Sequence, residues 1–206
     1  MSPDAHNHSQ RHNGVARMLA RAAAQAHTGK KILIDSFESE SFSPGARPDV
    51  AVLRGADLKH LLLEVKVVCP ISSNPSSTGE AGTFAAFANT APELKRGIEG
   101  CPAIGGREAT DAKYAGAMRL GHTVVPVIFE TFGGFEAGAV NLLNDWARLA
   151  RGKTPEGEEP PWSARNFVPY WSQVISSAAQ RAAAAEILSR VREEVATRNA
   201  MSMRGA

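Results

Sequence analysis

Cysteine is scarce in this chain, with only Cys69 and Cys101 among 206 residues. They lie 32 positions apart with no CxxC pairing, which argues against a disulfide framework and against a zinc knuckle. Long apolar runs are also lacking. No stretch approaches the roughly 20 residues that a bilayer-spanning helix needs, and the first residues, MSPDAHNHSQRH, are polar and His-rich where a signal peptide would be apolar. The expectation is a soluble protein of a reducing, intracellular compartment, with no membrane partner. Nor does one sign of charge dominate: the formal net charge is +2. That value is compatible with a nucleic-acid partner but does not by itself argue for one. Internal repeats and base-reading signatures of the zinc-finger or helix-turn-helix kind are absent too.

What is present fits one ordinary domain with appended helices, long enough to bury a core unaided. Both ends are basic. Residues 1–31 carry Arg11, Arg17, Arg21, Lys30 and Lys31 against Asp4, and the tail from Arg165 carries six Arg against three Glu. These charges suit either solvated helix faces or phosphate contact, and Arg17, Arg21 and Arg47 are the candidate nucleic-acid contacts. Residues 1–12 lack periodicity and read as a disordered arm whose His6, His8 and His12 have no second shell to orient them as metal ligands. From Asn13, a candidate N-cap, Val15, Met18, Leu19, Ala22 and Ala26 recur at helical spacing to about Thr28-Gly29.

The stretch KILID (31–35) reads as a short strand, followed by an acidic, Ser-rich loop holding Glu38 and Glu40. PDVAVLR (48–54) and HLLLEVKVV (60–68) read as a hairpin. Between Cys69 and Gly106 a Pro-, Ser-, Gly- and Ala-rich excursion, with a short helix in TFAAFANTAPELKRGI, forms an insertion at about 70–106. A helix over 107–120 then leads into HTVVPVIFE (122–130), apolar enough for a buried central strand. Another helix, roughly 136–151, places Ala139, Leu142, Leu143, Trp146 and Leu149 on one face. The segment GKTPEGEEPPW is a linker, and a long Ala-rich helix over about 168–197 closes the chain. The expected organisation is an arm (1–12), an α/β core with a mixed sheet (13–152), and a linker and long C-terminal helix packed on that core (153–206).

The chemistry sits in the hairpin. Side chains alternate along a strand, so Glu64 and Lys66 share one face while Val65 points into the core between them. A turn centred on Ala56-Asp57 sets Asp49 opposite Glu64, with Cβ atoms about 4.5–5.5 Å apart. Carboxylates that close repel unless a cation lies between them, and oxygen ligands at such spacing suit Mg²⁺, which keeps waters and accepts phosphate oxygens. Lys66 would orient a water or neutralise charge in the transition state. The bland alternative is a Lys66–Glu64 pair on a half-exposed strand with Asp49 in a turn.

Pro48-Asp49, fourteen intervening residues and then Glu64-Val65-Lys66 resemble the motif of the PD-(D/E)XK, or restriction-endonuclease-like, nuclease superfamily. More narrowly, Arg47-Pro48-Asp49, His12-Asn13, Lys113-Tyr114, the run Phe129-Glu130-Thr131-Phe132-Gly133-Gly134 and the closing Gln180-Arg181 are similar to the endonuclease domain of site-specific non-LTR retrotransposons and related mobile-element domains. The resemblance covers most of residues 12–192. It implies a restriction-endonuclease-like α/β/α core and a metal-dependent DNA endonuclease of mobile-element origin. Asp49, Glu64 and the Val65 carbonyl would hold Mg²⁺, or Mn²⁺ in its place, and Lys66 would be the catalytic lysine. Many members also carry a Glu on the first core helix, whereas residues 13–27 here contain no carboxylate. Glu38 or Glu40 would take that part, or the site does without it. Asn13, Lys113, Tyr114 and Glu130 are auxiliary candidates. A homodimer, or fusion to other mobile-element domains, is compatible with this reading. The alternative is a catalytically inactive nucleic-acid-binding module with the same fold.

Overall fold

The computed structural model describes residues 3–37, 47–55, 59–68, 113–153, 157–159 and 162–204. The insertion at about 70–106, the loop with Glu38 and Glu40, and the first part of the helix expected over 107–120 lie outside the described residues. In chain order the elements are α1 (Pro3–Ala26), β1 (Lys31–Ile34), β2 (Val50–Leu53), β3 (Leu61–Val68), α2 (Ala115–Arg119), β4 (Thr123–Glu130), α3 (Ala137–Arg151), α4 (Trp162–Arg165) and α5 (Phe167–Arg204).

The four strands form one mixed sheet in the order β1-β2-β3-β4, antiparallel except for the parallel pair β3–β4. The hairpin register pairs Val50 with Leu63, Ala51 with Leu62 and Val52 with Leu61, which is centred where the sequence places the turn. Period-two alternation then sorts β3 between two environments. Leu61, Leu63, Val65 and Val67 join Val50, Val52, Val127 and Phe129 in the main core, while Leu62 and Ala51 pack with Tyr114 and Ala117 on the opposite face. Three helices cover the main face. α1 contributes Val15, Leu19 and Ala23, α3 contributes Leu143 and Trp146, and α5 contributes Phe167 and Ile175, each at most 1% exposed. The short α2, with Tyr114 just before it, lies on the other face. Pro169 falls in the first turn of α5, where its missing N–H has no intrahelical partner to lose.

Four expectations need correction. The arm over 1–12 is helical from Pro3, so Asn13 sits inside α1 and caps nothing. The reason is tertiary: Arg11 bonds Glu186 of α5 and His12 bonds Asp49, anchors that composition does not announce. Strand β4 is the last strand of the described sheet, not a central one. That position tolerates Pro126, which has no N–H to offer a further strand. On α3 the buried face is completed by Ala147 and Ala150, and Leu149 stands 44% exposed. The closing helix also begins one residue earlier and runs seven further than the periodicity suggests.

Candidate functional site

Asp49 stands just before β2, where the chain leaves regular strand geometry. Its N–H donates to Leu63 O at 2.9 Å, and its carbonyl accepts from Asp35 N at 3.2 Å. In a regular strand these two groups of one residue leave from the same edge. Here they reach opposite neighbours, so the residue is stitched to β3 on one side and to the end of β1 on the other. β2 has only four residues and β3 has eight, so β3 runs on past the end of its partner. Val65 N–H would then lack an acceptor, and the Asp49 carboxylate supplies one: Oδ2 accepts it at 2.5 Å. The Val65 carbonyl leaves from the same edge as its N–H, and therefore also faces the Asp49 side.

The second Asp49 oxygen is taken as well. His12 Nε2 lies 3.1 Å from Oδ1, and His12 Nδ1 lies 3.2 Å from Asn13 Oδ1. The hydrogen bond to Asp49 raises the His12 pKa to about 9 against the opposing effect of burial. The ring is thus an imidazolium at neutral pH, and both of its nitrogens donate. Asp35 joins the same neighbourhood. Its carboxyl is pushed up by desolvation and then by the Asp49 charge, with His12 and Arg47 pulling the other way. Asp35 also holds a positive φ of 48°, a conformation that Asp tolerates better than most residues.

Glu64 emerges from the middle of β3 with Lys66 on the same face, as alternation requires. Both Glu64 oxygens are engaged: Lys113 Nζ donates to Oε1 at 2.5 Å and Tyr114 Oη to Oε2 at 2.7 Å. The Lys113 ammonium also lies 5.1 Å from the Tyr114 ring centre. Tyr114 is fully buried, and burial followed by the bond to Glu64 pushes its hydroxyl far above the ordinary range. It is a permanent donor. Lys66 is exposed and has no hydrogen-bond or ion-pair partner among the described residues.

The structure therefore brings together Asp49, Glu64, Val65, Lys66, Lys113 and Tyr114, and adds two residues that the sequence reading did not assign to the site, His12 and Asp35. His12 falls in the stretch that composition reads as a disordered arm, although His12-Asn13 also carries part of the family resemblance. Asp35 could have been found as the carboxylate that ends the KILID strand. Asn13 belongs to the site only through His12. Glu130 does not join it: β4 pairs Glu64 with Pro126, so Glu130 stands about 13 Å further along the strand direction. It is buried there, and its Oε1 has no hydrogen-bond partner among the described residues. Arg17 and Arg21 are exposed on α1, whose inner side covers the face opposite Glu64 and Lys66. Arg47 lies near enough to bias Asp35. Trp146 is core, Trp171 is 7% exposed and Trp162 is 59% exposed. Arg181 bonds Ser177 O within α5.

Among the described residues no three His, Cys, Asp or Glu side chains converge as a ready metal cage. Mg²⁺ does not need one, since it is commonly held by one or two carboxylates while keeping several waters. Asp49 just before β2 and Glu64 on β3, with the Val65 carbonyl facing the Asp49 side, match that chemistry. The condition is that a cation of the chain give way, because His12 and Lys113 already neutralise the two acids. No protein-family model, curated protein or solved structure matches this chain.

Proposed function

We propose that this chain is a metal-dependent DNA endonuclease domain of the PD-(D/E)XK type and of mobile-element origin. The observation that carries the reading is the juxtaposition of Asp49, tied by its side chain to Val65 N–H, with Glu64 on the next strand and, beyond it, an exposed Lys66 that has no partner among the described residues. Glu64 and Lys66 are the two charged residues of a strand otherwise made of Leu and Val, and they face one way beside Asp49. Helices α1, α3 and α5 on one face of a mixed sheet, with α2 on the other, are compatible with a restriction-endonuclease-like α/β/α core.

The donor set of Asp49, Glu64 and the Val65 carbonyl suits Mg²⁺ or Mn²⁺, which would polarise a phosphodiester oxygen and acidify a water when bound. Val65 N–H and His12 fix the Asp49 carboxylate in place. Tyr114 fixes Glu64 through Oε2, and a carboxylate held this way keeps its second oxygen aimed rather than rotating. Lys66 brings an exposed ammonium to the same face, where it neutralises negative charge that grows on phosphate oxygens in the transition state. Arg47 and Lys113 add positive charge around it.

A second reading, a nucleic-acid-binding module that does not cleave, is favoured by one fact: all four oxygens of Asp49 and Glu64 already have partners within the chain. Supercoiled plasmid separates the two. The endonuclease reading expects nicked or linear product with Mg²⁺ or Mn²⁺, none with EDTA, and little with Lys66→Ala. Retarded but uncut DNA under all metal conditions supports the binding module. Failure to retard DNA at all overturns both.

A further inference from the structure

Two lysines stand at the candidate site in different states. Lys66 has no partner among the described residues, whereas Lys113 is docked on Glu64 Oε1 at 2.5 Å. The other donor to Glu64, Tyr114, cannot leave, because its ring is fully buried. Lys113 can: its side chain is 37% exposed, against 14% for the Glu64 side chain it holds, and it hangs on a flexible four-carbon stem. His12 on Asp49 is more constrained, being 27% exposed and held on its far nitrogen by Asn13.

We propose that Lys113 is an exchangeable resident cation. It occupies the side of Glu64 that a divalent ion would take, yields that side when the ion binds, and passes to a phosphate oxygen of the incoming nucleic acid. The proposal rests on the metal-site reading above and deepens it. A carboxylate with an ammonium at 2.5 Å cannot take a dication on the same oxygen without like-charge repulsion. Metal must therefore compete with Lys113. A phosphodiester offers the displaced ammonium another anion, so by reciprocal linkage nucleic acid raises metal affinity and metal raises nucleic-acid affinity. The site would then load with metal most fully when substrate is present, and no conformational change larger than one side-chain rotation is needed.

The test is Mn²⁺ binding to the full chain, followed by electron paramagnetic resonance. Lys113→Met should bind Mn²⁺ about tenfold more tightly than wild type, equivalent to about 1.4 kcal/mol, while Lys113→Arg should stay near wild type. In a Lys66→Met background, chosen to slow cleavage, a short DNA duplex should tighten Mn²⁺ binding, and adding Lys113→Met should reduce that effect, leaving only the part due to phosphate meeting the metal directly. Circular-dichroism melts check folding, and Lys113→Gln, which keeps a neutral donor to Glu64, replaces Lys113→Met should that variant not fold. Equal or weaker Mn²⁺ binding by folded Lys113→Met or Lys113→Gln overturns the exchange and leaves the metal-site reading standing, as does a DNA effect undiminished by the double substitution. No Mn²⁺ binding by any of the proteins overturns both.

Discussion

Asp49 has structural work to do besides any ligand role, and this changes what its substitutions should report. Its carboxylate is the acceptor for Val65 N–H and the anion for His12. Asp49→Ala leaves a partly buried strand N–H unpaired, at a cost of about 1–3 kcal/mol. Asp49→Asn keeps a carbonyl oxygen for Val65 and removes only the charge. The expected outcome is loss of divalent-ion-dependent cleavage in both, with urea denaturation showing the Ala variant clearly less stable than the Asn variant. Equal stability of the two would mean that the Val65 bond contributes nothing. Lys66 gives the opposite pattern, because no partner among the described residues depends on it. Lys66→Met should melt like wild type and bind DNA nearly as well with Mg²⁺ present, yet cut at least about tenfold more slowly, the mark of an interaction made mainly in the transition state. Lys66→Arg should recover only part of the rate, since a guanidinium presents its charge in a different shape. Wild-type turnover in Lys66→Met would remove Lys66 from the reaction.

Among the elements, the start of α1 is the one most dependent on distant partners. Arg11 reaches Glu186 on α5 at 2.8 Å and Thr131 after β4 at 3.1 Å, with side chains only 16% and 7% exposed for the ion pair. Removing one partner of a buried pair strands the other charge, typically at about 3–5 kcal/mol. Glu186→Ala should therefore lower the thermal midpoint markedly and raise hydrogen exchange in the α1 segment around Arg11. A midpoint unchanged from wild type would show the pair to be superficial. The turn after β4 is the second pressure point. Gly133 has φ 95°, and a Cβ there would lie 2.8 Å from Ser176 Cβ on α5, while Ser176 Oγ donates to Gly133 O at 2.7 Å. Gly133→Ala should destabilise by about 1–3 kcal/mol from backbone strain alone, readable as a shifted urea midpoint.

For the molecule as a whole, two histidines set opposite limits on the stable pH range. Burial lowers His27 to about 4, helped by Arg54, Lys153 and Lys30, and its Nε2 is buried with no hydrogen-bond partner among the described residues. Below the unfolded-state value of 6.5 the unfolded chain binds a proton that the folded chain refuses, so stability falls as pH drops from 6.5 towards 4. His12 runs the other way. Its pKa is raised to about 9, so its contribution is complete below 6.5 and is lost as pH rises through 9. Chemical denaturation across pH 4–10 should give a maximum near neutrality. His27→Phe, which keeps a ring against Trp146, should flatten the acid side alone, and His12→Ala the alkaline side alone. The distribution of charge makes a further statement at this scale. DNA affinity should fall steeply with salt, as counterions are released. Because Arg17 and Arg21 lie across the sheet from Lys66, substituting Arg47 should weaken binding more than substituting either of them. An Arg17→Ala variant weaker than Arg47→Ala would move the nucleic acid to the α1 side.

The hairpin that carries Asp49, Glu64 and Lys66 was determined by the sequence itself, because strand alternation and turn symmetry are local properties: they fix which residues share a face and which stand abreast. The same holds for much of α3, where the spacing of Ala139, Leu142, Leu143 and Trp146 names the buried side, and for the existence of α5 as a long helix. Only the tertiary structure decided that residues 3–12 are helical, because their anchors, Glu186 and Asp49, come from elements 37 or more positions away and leave no periodic trace. It alone brought His12, Asp35, Lys113 and Tyr114 to the two acids. And it decided that the carboxylates meet as paired groups, each neutralised by a cation of the chain, since a sequence reveals how close two acids stand on a hairpin but not which distant ammonium or imidazolium folds against them.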